Sequence, residues 1–303
     1  MITYNDILDA AARIAPYANV TPIKTSAALN ALVGAELFFK CENLQVGGAF
    51  KFRGAVNAVF ALTEEQAQRG VVTHSSGNHG AALARAAHLR GIVAHVVVPE
   101  GAVQSKLDAI VQAGAIVYRC APTQAAREAK VQELIEQLGV TLVHPYENPN
   151  VMAGAGTATM ELCHAVKDLH AVVAPVGGGG LISGTAIALD PLDIPLYGVE
   201  PEGAAETIAS LAANERITHL VPDTICDGLR AVVGVPNFAI IQEHVLQVLS
   251  VSDAQCAAAQ ALVAEHLKMV IEPSSATVLA AVLAYSDLFK GQRVGLILTG
   301  GNV

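Results

Sequence analysis

The hydrophobic positions of this chain come in short dense bursts, separated by longer alanine-rich stretches with one apolar face. Val71–His74, His95–Val98, Ala115–Tyr118 and Val140–Val143 are such bursts. Between them, Asn78–Arg90, Gln104–Gln112 and a segment opening at Thr123 and running to about Leu138 carry helical periodicity, each followed closely by a glycine (Gly91, Gly114, Gly139). Apolar runs of about four residues bounded by turn signals predict buried strands, and the periodic stretches predict helices. A regular strand/helix beat of this kind predicts a parallel sheet covered by helices on both faces.

The flanking regions follow the same style. Thr3 is placed to cap a first helix, with Asp6 at its third position and Ile7, Leu8, Ala11 and Ile14 on one face. Glu36–Cys41 predicts a strand and Phe52–Leu62 a helix. Further on, the pattern predicts a helix over about Val151–Lys167 and strands at Val172–Val176, Leu196–Glu200 and Val248–Val251. It then predicts a helix capped by Asp253 and running to Lys268, a helix over Ser274–Tyr285 and a last strand, Arg293–Leu298. No low-complexity linker divides the chain. The expected fold class is α/β in two domains: a large one from residues 1–69 and 148–303, and a small one from residues 70–147.

Composition narrows the function classes. With 18 Lys+Arg and 27 Asp+Glu the net charge is −9, which excludes a general nucleic-acid binder or a polybasic membrane anchor. Charged residues are 15% and apolar residues 52%, against roughly 25% charged in an average soluble domain. The chain can bury a large core, and the scarcity of charge predicts surface hidden in a homodimer. The five cysteines form no C-x-x-C pair, so zinc-ribbon and thioredoxin chemistry have no support, and a reducing compartment is expected. No secretory leader is legible at MITYNDILDA, so a cytoplasmic location is expected. The uncharged run Ala171–Leu189 contains Pro175 and four consecutive glycines, which suits strand, loop and helix rather than a membrane span.

Three motifs carry chemistry. Pro175–Leu181 (PVGGGGL) puts bare backbone N–H groups at a helix N-terminus, which is what a phosphate needs. No G-x-G-x-x-G, Walker A or G-x-S-x-G pattern is present there, leaving a compact phosphate monoester. In Gly47–Gly54 a lysine, Lys51, sits among aromatic and small residues just before a helix. Burial would lower its pKa and free its amine for a Schiff base. His74–Gly80 (HSSGNHG) gathers hydroxyls, an amide and an imidazole at another helix N-terminus, a place for a carboxylate. Taken singly, the bland readings are a flexible turn, a snorkelling lysine and a capped turn. Taken together, the three are the parts of a pyridoxal-phosphate enzyme.

Their order and context resemble the fold-type II pyridoxal-phosphate enzymes, the tryptophan synthase β-like group, in the serine/threonine dehydratase and serine racemase branch. The matching stretches are NLQVGGAFKFRGA (43–55), HSSGNHGAALA (74–84), HPYENPNVMAGAGT (144–157), PVGGGGLISG (175–184), DGL (227–229), IEPSSA (271–276) and TGGNV (299–303). The resemblance implies two open, twisted, mostly parallel sheets flanked by helices. It implies pyridoxal 5'-phosphate on Lys51, with Gly177, Gly178, Gly179, Gly180 and Leu181 at the phosphate. Phe50 would pack on the ring, Asn78 would bond the ring hydroxyl, Gly228 would lie beside the cofactor and Thr299 would face the pyridine nitrogen. Ser75, Ser76, Asn78 and His79 would receive the substrate carboxylate, with Arg127 as a further basic candidate. Lys51 and Ser76 would be the two catalytic bases on opposite faces of the cofactor. Glu200, Ala204 and Glu206 would hold Mg²⁺, or Mn²⁺ or Ca²⁺, through oxygen ligands.

The implied reaction is β-elimination from a β-hydroxy amino acid (serine, threonine or threo-3-hydroxyaspartate) to a 2-oxo acid and ammonia. Serine or aspartate racemisation is the runner-up. A phosphate-ligand sensor and a nicotinamide-dependent oxidoreductase are the readings from other classes. The sensor has no need of Lys51, and the oxidoreductase lacks its glycine fingerprint. Tyr146 and Ala231 depart from polar residues of the vertebrate-type racemases, and Arg230 is a candidate for meeting a second substrate carboxylate. No regulatory domain is expected beyond Val303, and feedback by a branched-chain amino acid is not expected.

Overall fold

The computed structural model describes residues 1–219 and 221–303. Among the described residues ten strands form two sheets: β1 (Ile23–Lys24), β2 (Glu36–Cys41), β3 (Val71–His74), β4 (Ala94–Pro99), β5 (Ile116–Cys120), β6 (Thr141–Leu142), β7 (Ala171–Pro175), β8 (Leu196–Pro201), β9 (Gln247–Val251) and β10 (Arg293–Leu298). The larger sheet has the order β1-β2-β10-β7-β8-β9 and the smaller the order β5-β4-β3-β6. Every pairing is parallel except that of β1 with β2. The mostly parallel α/β architecture expected from the sequence is therefore present.

Both faces of the larger sheet are buried. In β10, Val294, Leu296 and Leu298 enter one apolar cluster and Ile297 enters the other, as the two-residue period of a strand demands. On the second face the helices Pro149–Ala165 and Gly180–Leu189 pack, and they and the helix Lys51–Phe60, whose apolar side joins a third cluster, approach one another through glycines. A Cβ on Gly54 would lie 2.6 Å from the Val151 carbonyl oxygen, one on Gly154 2.6 Å from that of Arg53, and one on Gly156 2.5 Å from that of Gly184. The composition rich in small residues thus has a local use: it draws the helix bearing Lys51 against the helix Pro149–Ala165, and that helix in turn against the one that follows the glycine loop.

Helix ends follow the sequence signals closely. Thr3 and Asp6 form a reciprocal capping box, and Gly91 and Gly139 end their helices in the left-handed conformation. One expectation is corrected. The cap of the helix Asp253–Leu267 is Ser252, boxed with Gln255. Asp253 instead accepts hydrogen bonds from the Thr224 hydroxyl and the Ile225 N–H, because its carboxylate is drawn to donors of the neighbouring loop. The helices Ala27–Val33, Glu64–Arg69, Glu206–Ala213 and Val235–His244 went unread, being short or weakly periodic. Among the described residues no helix is long and apolar enough to cross a membrane.

Candidate active site

The C-terminal ends of β3, β7 and β10 converge on one cavity of about 450 Å³. Crevices outside the carboxyl ends of parallel strands are where α/β sheets bind ligands, because the loops there open toward helix N-termini. The cavity brings together Phe50, Lys51, Ser75, Ser76, Asn78, His79, Arg127, Gly177–Leu181, Gly228 and Thr299. Glu200, Ala204 and Glu206 lie outside it.

Lys51 opens the helix Lys51–Phe60. Its Nζ donates to the Pro145 carbonyl at 3.0 Å. Burial lowers its pKa to about 8, against the pull of the Glu272 charge, so a usable fraction of neutral amine exists near pH 7. The Phe50 N–H donates to the Thr299 carbonyl at 2.9 Å, which ties the lysine turn to the end of β10. The Thr299 hydroxyl itself is buried and, among the described residues, without a partner.

The loop after β7 is a cradle of bare backbone. A Cβ on Gly177 would come within 3.0 Å of Leu229 Cα, and one on Gly178 within 2.3 Å of the Tyr146 ring. Gly179 has φ +93° and a Cβ there would meet that of Asn237 at 2.6 Å. The helix Gly180–Leu189 begins with no side-chain cap, so its first N–H groups remain available to an anion. The helix Asn78–Arg90, after β3, also starts without a side-chain cap.

Asn78 is held from both ends. Its amide nitrogen donates to Glu272 at 2.9 Å and its amide oxygen accepts from Asn302 at 2.9 Å. The His79 ring is engaged away from the open side of the loop. Its Nε2 faces the Val143 carbonyl at 3.2 Å, so that nitrogen carries the proton and Nδ1 is left as an acceptor. Two features escaped the sequence reading. Glu272 is buried, and desolvation first and the Asp227 charge further raise its pKa to about 7 against the Asn78 hydrogen bond. Lys106, from the helix Gln104–Gln112 that packs on the smaller sheet, pairs with Asp227 at the cavity. A glutamate directly after the apolar run Met269–Ile271 was the one available signal for the first. The second joins residues 121 positions apart, beyond any local pattern.

Comparison with known proteins supplies the remaining observation. The model for the family "Pyridoxal-phosphate dependent enzyme" matches residues 14–300. The chain belongs to the pyridoxal-phosphate-dependent enzymes. Within that family it is similar to the serine racemase of Dictyostelium discoideum, with 47% identity over 100% of this chain and 95% of the relative. The crystal structure of that racemase superposes with TM-score 0.95, covering 100% and 99% of the two chains. The β-hydroxyaspartate dehydratase of Paracoccus denitrificans is 46% identical over 99% of this chain and 96% of the relative. The structure of maize serine racemase is 41% identical, with TM-score 0.97 over 100% and 94% of the chains. The cavity of this pyridoxal-phosphate-dependent enzyme contains what the cofactor demands: a desolvated amine, a backbone cradle that side chains would fill, and a buried hydroxyl lacking a partner among the described residues.

Proposed function

We propose that the chain catalyses β-elimination from a β-hydroxy amino acid, yielding a 2-oxo acid and ammonia. The observation that carries this reading is that Lys51, on the helix that follows β2 of the larger sheet, and the Ser75–Ser76 loop after β3 of the smaller sheet line one cavity. Relatives named as a dehydratase and as racemases support it. Lys51 would hold the cofactor, with Gly177–Gly180 and Leu181 at its phosphate, Gly228, Phe50 and Asn78 around its ring and Thr299 at the ring nitrogen. When bound, pyridoxal phosphate supplies an electron sink for charge developing at the substrate Cα. Nζ of Lys51, its pKa near 8, is suited to take the Cα proton near neutral pH. The hydroxyls of Ser75 and Ser76, Asn78, the N–H groups opening the helix Asn78–Arg90 and Arg127 would receive carboxylate. The partition into residues 1–69 with 148–303 and residues 70–147 belongs to the same reading, the cleft between the parts being the site.

Racemisation is the second reading, and the Ser76 hydroxyl at the cavity favours it. A homodimer and a cytoplasmic setting complete the picture. So does a cation, Mg²⁺, Mn²⁺ or Ca²⁺, at Glu200, the Ala204 carbonyl and Glu206. Two buried carboxylates with an unpartnered oxygen among the described residues, Glu206 Oε2, suit such an ion. The deciding experiment offers the holoenzyme L- and D-serine, L-threonine and L-threo-3-hydroxyaspartate, scoring both 2-oxo acid and enantiomer. No 2-oxo acid from any of them would end the lyase reading. Inversion that persists in Ser76→Ala would remove Ser76 as a second base.

A further inference from the structure

We propose that Asn237 is a positioning residue of this site: it locks the glycine cradle to the segment that carries the Lys51 acceptor, and so sets how tightly the cofactor phosphate is gripped. This deepens the proposed function and rests on its placement of Lys51 and Gly177–Leu181 around the cofactor. The first observation is reach from behind the cavity wall. Asn237 does not line the cavity. It is fully buried, on the first turn of the helix Val235–His244. Its Nδ2 donates to the Tyr146 carbonyl at 3.0 Å and to the Ser183 hydroxyl at 3.1 Å, with Met152 Sδ at 3.2 Å beside them. Tyr146 follows Pro145, whose carbonyl accepts from Lys51 Nζ. Ser183 belongs to the first turn of the helix Gly180–Leu189, which opens from the cradle. One amide thus bridges both walls. The Tyr146 carbonyl also decides which way that amide points, since a flipped amide would set oxygen against oxygen.

The second observation is a forgone cap. Gly234 is the N-cap of the helix Val235–His244 and Asn237 is its third residue. A polar side chain at that position can accept the N-cap N–H, as Asp6 does for Thr3. Asn237 Oδ1 does point back: a Cβ on Gly234 would lie 2.3 Å from it. The Gly234 N–H, however, goes to the Gly178 carbonyl at 3.1 Å. Asn237 Oδ1 is left without a partner among the described residues. The bond that would have capped this helix holds the cradle instead.

That exchange has a consequence for phosphate. The peptide unit is planar and trans, so tying back the Gly178 carbonyl turns the Gly179 N–H the opposite way. The Ser183 N–H ties back the Gly179 carbonyl at 3.0 Å, which turns the Gly180 N–H out from its helix. A Cβ on Gly179 would meet that of Asn237 at 2.6 Å, so the asparagine is also the floor on which Gly179 rests. Donors for an anion are therefore oriented in advance, and Asn237 holds the frame that orients them.

The test measures the Kd of pyridoxal 5'-phosphate and of pyridoxal, which lacks the phosphate, by cofactor absorbance on the full chain. Wild type is compared with Asn237→Leu, Asn237→Asp and Thr159→Val. Thr159 shares a buried bond with Thr185 at 2.9 Å, between the helices Pro149–Ala165 and Gly180–Leu189, and lies outside the cavity. Its loss loosens packing without removing a bond of Asn237. Wild type is expected to favour the phosphate form. Loss of two amide bonds predicts that this preference falls on the order of 10-fold in Asn237→Leu, and further in Asn237→Asp, which sets an oxygen against the Tyr146 carbonyl. Thr159→Val should lower the Tm and keep the preference within about 2-fold of wild type. Should Asn237→Leu fail to fold, the isosteric Asn237→Asp keeps the measurement. Asn237 variants that weaken both forms in equal proportion, or a Thr159→Val that loses the preference as they do, overturn the proposal. A wild type that binds both forms equally overturns the phosphate placement and this proposal with it. Neither affinity needs turnover, so failure of the lyase reading is told apart from failure here.

Discussion

Two clusters of buried ionisable groups lie on either side of the Lys51 turn, and they keep their charge differently. Behind Lys51, the fully buried Arg53 donates to Glu42 at 2.7 and 2.9 Å and to Glu161 at 2.6 and 2.8 Å. It also reaches Thr157 and the Asn19 carbonyl. Lys40 adds a bond to Glu161 at 2.5 Å. Two cations and two carboxylates close on each other. Burial alone would lower the Arg53 pKa, but Glu42 and Glu161 more than offset it and hold the charge. In front of Lys51, the cavity does the reverse. Desolvation brings the lysine down to about 8, His74 and His144 down to about 4 and Glu272 up to about 7. Arg53 holds its charge because carboxylates surround it, although burial lowers the neighbouring Lys40, whereas burial moves the cavity's groups toward their neutral forms.

The largest effect should follow from removing the group that faces the open side. Lys51→Ala is expected to lower turnover by at least about 10³- to 10⁴-fold, the upper range for a lost proton-transfer group, and to release the cofactor on dialysis. Visible absorbance before and after dialysis checks this. The Tm of the cofactor-free variant should stay near that of cofactor-free wild type, because Lys51 has no partner in the closed cluster. Retained turnover would mean the cavity has been read wrongly.

Next is the closed side. Arg53→Met strands the buried Glu42 carboxylate and leaves the half-buried Glu161 to Lys40 alone, and breaking one partner out of a buried pair costs about 3–5 kcal/mol. Urea unfolding of the holoenzyme should register that loss, while Arg53→Lys should recover part of it. A cost under about 1 kcal/mol, within the range of exposed pairs, would erase the contrast between the two clusters.

The sequence made one side of this contrast far more legible than the other. The strand/helix beat, the helix caps at Thr3, Gly91 and Gly139 and the three loop motifs are local, so a short window of the chain reveals them. Lys51, the glycine loop and the serine loop were found that way, and they do meet in one cavity. The Arg53 cluster was invisible because its members, at positions 40, 42, 53 and 161, are joined only by the packing of distant elements. Ring orientation at His79, the role of Gly178 as a seat for Tyr146 and the Lys106–Asp227 pair are likewise tertiary facts. The Asp253 cap failed for a related reason: two adjacent residues were both able to cap, and only the neighbouring loop decided between them.

A third buried pair sharpens the comparison. Glu200 accepts from the Thr207 and Ile208 N–H groups and Glu206 from that of Val233, but neither carboxylate has an ion-pair partner among the described residues. Burial, then Glu206, pushes Glu200 to about 8, and burial pushes Glu206 to about 7. If this pair is an open cluster completed by Mg²⁺ or Mn²⁺, saturating cation should raise stability by about 2.7 kcal/mol at a hundredfold excess over Kd. Thermal scans with chelator and with each cation measure it. Glu206→Ala should abolish the response, and a response that survives the substitution puts the ion elsewhere.

The smallest effect concerns the neutral wall of the cavity and is read from pH. His74 and His144 have folded pKa values of about 4, lowered first by burial and then, for His74, by His144 and, for His144, by Lys51. Their unfolded value is about 6.5. Between these limits the unfolded chain takes up protons that the folded chain refuses. Stability from the two imidazoles is therefore complete above about pH 6.5 and is lost as pH falls toward 4. With solvent and mutual coupling reducing the full shift, each is expected to contribute about 1–2 kcal/mol to that acid limb. In His144→Gln the limb between pH 6.5 and 4 should become shallower, as measured by urea midpoints at fixed ionic strength. Arg53→Met should leave the imidazole contribution to that slope in place, since the closed cluster contains no histidine. An acid limb identical in His144→Gln and wild type would show that the imidazoles take up protons in the folded protein, and that the cavity keeps its charge as the cluster behind it does.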